Sequence, residues 1–100
     1  MSVKKMQFHE KAAVEYDASF ECYLDRSPDA ARDFNTEVER ALAQIGKAPL
    51  RWPSGPFNTR RYLLRRFPFL LIYREQLADV IQIVAVAHTS RRPGYWKLRL

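Results

Sequence analysis

A chain of 100 residues with 47% hydrophobic content has material for one core and not for two, and its 13% aromatics argue against disorder. Cys22 is the only cysteine, which excludes an internal disulfide and a cysteine-built zinc site. The apolar runs are far too short to span a bilayer, and Lys4 and Lys5 have no apolar signal core behind them, so the chain is read as cytoplasmic and without an export signal.

The net charge of +6 is divided unevenly. Residues 1–50 carry seven Lys/Arg against nine Asp/Glu, and residues 51–100 carry ten against two, nine of the ten being arginine. Arginine presents a planar fork that matches phosphate and carboxylate bidentately. The second half is therefore expected to hold an anion-binding surface.

In chain order, Met6 and Phe8 alternate with Lys5 and Gln7 and predict a short strand. From His9 to about Arg26, apolar residues recur every three or four positions (Ala13, Tyr16, Phe20, Tyr23 and Leu24), as in an amphipathic helix. His9, at the junction, is read as structural. Ser27-Pro28-Asp29 supplies a hydroxyl N-cap, a proline at the first helical position and an acid at the positive dipole end. A second helix is then predicted through Ala31, Phe34, Val38, Ala41 and Ile45, stopping at Gly46. Residues 49–58 hold three prolines and a glycine and read as a loop, with Trp52 assigned to the edge of the core. Three strands follow, at about Thr59–Arg65, Pro68–Glu75 and Asp79–Thr89, with Gln76-Leu77-Ala78 as the second connection. Such short connections imply antiparallel neighbours. In the last strand Ile81, Ile83, Ala85 and Ala87 would face the helices. Val80, Gln82, Val84, Val86 and His88 would share the uncovered face.

His88 is followed by Thr89-Ser90-Arg91-Arg92-Pro93-Gly94-Tyr95-Trp96 and then Arg99. A histidine, guanidinium groups and aromatics at one end of a sheet suit gripping RNA, and the same groups could cut it. Metal-free cleavage needs a base, a cation for the crowded phosphate and an acid for the leaving oxygen. The competing structural readings are a solvated strand-end histidine and a tail folded back by Tyr95 and Trp96. Two histidines far apart and one cysteine make a metal site unexpected, and no cofactor is implied.

At these residues the chain resembles the RelE/ParE superfamily of type II toxin–antitoxin toxins. The resemblance runs from Glu10…Ala13…Tyr16 through Phe34…Val38…Ala41-Leu42…Ile45…Pro49. It continues through Arg60-Arg61 and Phe67-Pro68-Phe69-Leu70-Leu71-Ile72-Tyr73, and closes on Ile83–His88 and Arg91–Trp96. It implies one α+β domain over residues 1–100, ordered β-α-α-β-β-β, with a helical hairpin on one face of a small antiparallel sheet. It also implies a cognate antitoxin whose inhibitory segment is acidic. RelE-like members cut mRNA on the ribosome as metal-independent endoribonucleases, and ParE-like members poison DNA gyrase. A third alternative is a non-catalytic, degenerate antitoxin-binding module. For a nuclease, Arg61, His88, Arg91 and Tyr95 match the catalytic pattern, while Glu75 falls at the far end of its strand. Arg60, Arg65, Arg66, Trp96 and Arg99 are then expected to bind antitoxin or nucleic acid.

Overall fold

The computed structural model describes residues 4–100. Its elements are β1 (Lys5–Phe8), α1 (Glu10–Arg26), α2 (Pro28–Lys47), β2 (Arg60–Leu63), β3 (Phe69–Leu77) and β4 (Val80–His88). The sheet is ordered β1-β4-β3-β2. The three later strands are antiparallel, as their short connections require, whereas β1 lies parallel to β4 because the helical hairpin intervenes. The β3–β4 turn falls at Ala78-Asp79, and Gln76 and Leu77, read from the sequence as connection, still belong to β3.

Two caps set the helices. The His9 imidazole accepts from the Lys11 N–H at 3.0 Å, which starts α1 and gives His9 the structural role expected of it. Ser27 closes α1 by donating its N–H to the Tyr23 carbonyl and opens α2 by accepting from the Ala30 N–H at 3.0 Å. One residue thus links the two helices. The second helix passes through Gly46 and ends at Lys47.

The helices bury their apolar stripes on one face of the sheet. Phe34 is fully buried, and its ring centroid lies 5.1–5.6 Å from those of Tyr23, Phe67, Phe69 and Tyr16. Edge and tilted aromatic contacts of this kind add to the stabilisation from burial alone. Leu71, Tyr73, Ile81 and Ile83 complete the floor. Trp52 packs against this core at its rim, 4.5 Å from Tyr62, in the role its loop position suggested. The Arg60 guanidinium donates to the carbonyls of Leu50 and Trp52 at 3.2 and 2.7 Å and fixes the loop to β2.

One irregularity decides the site. Pairing runs Phe69↔His88, Leu70↔Ala87, Leu71↔Val86 and Ile72↔Ala85, and then shifts to Tyr73↔Ile83. Val84 is the extra residue of a β-bulge, and the bulge resets the alternation. Ile81 and Ile83 face the helices as expected, but beyond the bulge Val86 takes that side. Ala85 and Ala87 turn to the opposite face with Val84, Ile72 and Trp96. The assignment of Ala85 and Ala87 to the helix side, and of Val86 and His88 to the open side, is therefore reversed.

Candidate functional site

The open face is covered by the C-terminal arm, residues 89–100. Trp96 is buried there against Ile72, Val84, Ala85 and Ala87, and Tyr95 packs alongside. Gly94 turns the arm at φ 78°, a left-handed conformation that glycine adopts without steric cost.

The arm is fastened at an unpaired stretch of sheet edge. Because β1 ends at Phe8, paired with Ile83, the edge of β4 beyond that point has no neighbouring strand among the described residues. Glu15 on α1 takes the place of one. Its carboxylate accepts from the Val86 N–H at 2.9 Å, from the Tyr95 hydroxyl at 2.7 Å and from both Arg99 Nη atoms at 2.9 and 2.7 Å. Arg99 in turn donates to the Val84 carbonyl at 3.0 Å. With no strand alongside, these two backbone groups would go unpaired, and a forked ion pair satisfies both.

Burial pushes the Glu15 carboxyl up, but the hydrogen bonds from Arg99, Tyr95 and Val86 outweigh it and hold the group below its ordinary 4.5. Burial and the bond to Glu15 raise the Tyr95 hydroxyl far above its ordinary value. A carboxylate with a depressed pKa stabilises the fold above its unfolded value, and that contribution disappears as pH falls through the folded one. Stability should therefore decline on acidification below about 4.5. For Tyr73, burial pushes the phenol up from 10 to about 12; its hydroxyl donates to the Pro49 carbonyl. A raised phenol stabilises below the unfolded pKa and loses that effect as pH climbs from 10 to 12. Thermal melts across both ranges should show an acid limb that Glu15→Gln flattens and an alkaline limb that Tyr73→Phe flattens.

Beside the arm lies a pocket of about 170 Å³, floored by Leu70, Ile72 and Ala87 and rimmed by Arg61, Arg91 and Arg92. All three arginines are exposed. Arg91 stacks over the Tyr95 ring with its Cζ 3.9 Å from the centroid. Between the lining residues Pro56 and Thr59, Phe57 and Asn58 both adopt positive φ, 61° and 60°. Phe57 stands 57% exposed, its ring 6.3 Å from that of Trp96. Hydrogen bonds between Gly55, Pro56 and Thr59 hold this strained turn.

Of the residues expected to form a nuclease centre, Arg61, Arg91 and Tyr95 do gather at this pocket. His88 borders it, but its ring stands edge-on to Phe69 at 5.2 Å, on the helix side. Its Nδ1 accepts from the Ser90 N–H at 3.0 Å and lies 2.7 Å from the Ser90 hydroxyl. The expectation that His88 projects from the uncovered face is overturned by the Val84 bulge. Arg60 and Arg99 are engaged with backbone carbonyls, and Trp96 is buried. Arg65 and Arg66 lie at the β2–β3 turn and line a separate groove. Glu75 sits at the distant hairpin end, 3.4 Å from Lys4.

Two residues that organise this surface were missed. Glu15 clasps the arm. Glu37, only 7% exposed, accepts the backbone N–H groups of Arg65 and Arg66 and orders their turn. Both acids lie at core-facing spacings, Glu15 between Ala12 and Ser19 and Glu37 beside Phe34 and Val38. A carboxylate on an apolar helix face signals a buried partner.

A hairpin of helices thus packs on one face of a four-stranded mixed sheet, with a basic pocket on the other. The fold superposes on a structure described as the chromosomal ParDE TA system from P. aeruginosa with a TM-score of 0.74 and 21% identity. The match covers 88% of this chain and 98% of that one. No curated protein matches in sequence. Residues 6–93 match the family model described as ParE toxin of type II toxin-antitoxin system, parDE. The chain belongs to the ParE toxin family. Among the described residues, no helix is long and apolar enough to cross a membrane.

Proposed function

We propose that this toxin acts by binding, as a ParE-like inhibitor of DNA gyrase, and is silenced by a cognate antitoxin that covers the arginine-rimmed face. The observation that carries the reading is the orientation of the proton carriers. RNA cleavage needs a base and an acid at the phosphate. The His88 ring lies on the helix side against Phe69, and the Tyr95 hydroxyl donates to Glu15. Burial and that bond keep Tyr95 protonated. What remains at the pocket is charge and apolar surface, suited to docking. The antitoxin segment that fits is apolar where it meets Leu70 and Ile72 and acidic where it meets Arg61, Arg91 and Arg92.

The test is expression of the chain alone and together with its neighbouring gene. Growth should stop in the first case and resume in the second, and extracts from arrested cells should contain under-supercoiled plasmid and intact mRNA. Arrest accompanied by cut mRNA and normal supercoiling would support ribosome-dependent cleavage instead. Normal growth at high levels of folded protein would support a regulatory module without toxicity.

A further inference from the structure

A second basic site lies around the β2 edge from the pocket described above. The C-terminal half of α2, the loop at Arg51-Trp52 and the β2–β3 turn enclose an open groove of about 620 Å³. Four guanidinium groups line it, those of Arg40, Arg51, Arg65 and Arg66. Arg40 follows Glu37 by three residues and so shares its helix face, while Arg51 is held over the Trp52 ring at 5.1 Å. Among the described residues, the only carboxylate lining the groove is Glu37. Its oxygens are occupied by the Arg65 and Arg66 N–H groups and by the Arg66 side chain at 3.5 Å. Glu37 therefore balances one guanidinium, and Arg40, Arg51 and Arg65 have no carboxylate partner among the described residues.

We infer that this groove binds the phosphodiester backbone of nucleic acid, independently of sequence and of whether gyrase is the target. Three uncompensated guanidinium groups converging on one open channel repel one another and attract a chain of anions. The groove contrasts with the open-face pocket, whose small volume and aliphatic floor suit a peptide side chain. Here guanidinium groups and the Gln44 amide share the walls with exposed Leu63 and the half-buried rings of Trp52 and Tyr62. Forked donors match phosphate oxygens, and aromatic faces accept any base. Binding at this groove leaves the antitoxin face free.

The test is fluorescence anisotropy of the isolated chain with a labelled mixed-sequence DNA duplex, a single-stranded RNA and poly-glutamate as competitor. Three phosphate contacts predict that log K falls with log salt at a slope of about −3 for the duplex. The charge reversals Arg40→Glu and Arg65→Glu should each weaken binding about tenfold or more and reduce the slope by about 1. Arg91→Glu, in the other site, should change it little. Both groove residues are exposed, and unchanged melting temperatures will show that the variants fold. Similar behaviour with RNA would leave the phosphodiester as the common ligand, whereas binding to one polymer alone would name the source. Duplex affinity that survives both reversals, or poly-glutamate binding with no duplex binding, would overturn the inference.

Discussion

Glu15→Ala is expected to remove about 3 kcal/mol of folding stability, a large share of the roughly 5–15 kcal/mol typical of such a domain. The side chains of Glu15 and Arg99 are 17% and 11% exposed, so the pair is largely withdrawn from water. Removing the carboxylate leaves an unpaired guanidinium, the Tyr95 hydroxyl and the Val86 N–H with no acceptor. Each orphaned group adds its own desolvation cost. Urea unfolding followed by tryptophan fluorescence would measure the loss. Arg99→Ala should cost a similar amount, and the double variant should cost much less than the sum because both single changes break the same clasp. Additive losses would mean that the two residues act separately.

The other large effect concerns the partner. Arg61→Glu combined with Arg91→Glu should weaken the antitoxin complex by about 100-fold, against about tenfold for the paired alanine changes. Truncating an exposed rim charge removes one attraction, whereas reversing it sets like charges face to face, at a cost of several kcal/mol. Titration calorimetry with the purified antitoxin, repeated at two salt concentrations, would separate these contributions. Equal affinities for the wild type and both double variants would place the antitoxin elsewhere on the toxin.

The elements could be read from the chain because their signals are local. Ser27-Pro28-Asp29 marks a helix start by chemistry that needs no tertiary partner, and the spacing of Phe34, Val38, Ala41 and Ile45 marks the buried face. The clustering of Arg61, Arg91 and Tyr95 was also legible, since two short strand connections bring those segments to one end of the sheet. The orientation of His88 was not. Val80–His88 is almost uniformly apolar, and alternation cannot reveal a bulge where both faces are buried. The backbone beside the Val84 bulge is bound by Glu15 and Arg99, which lie 69 residues before it and 15 after it. The parallel placement of β1 was hidden for a similar reason, as a four-residue strand carries no mark of its partner.

A toxin that works by docking and not by proton transfer should tolerate His88→Ala in a gyrase supercoiling assay. His88 is exposed and contacts the core through one edge of Phe69, so the variant should fold. It should inhibit supercoiling within about twofold of the wild type and leave mRNA intact, whereas losing a catalytic proton carrier would cost about 100- to 10,000-fold. Wild-type protein that cleaves mRNA on ribosomes, spares gyrase and loses both cleavage and toxicity on His88→Ala would show instead that the toxin is a nuclease.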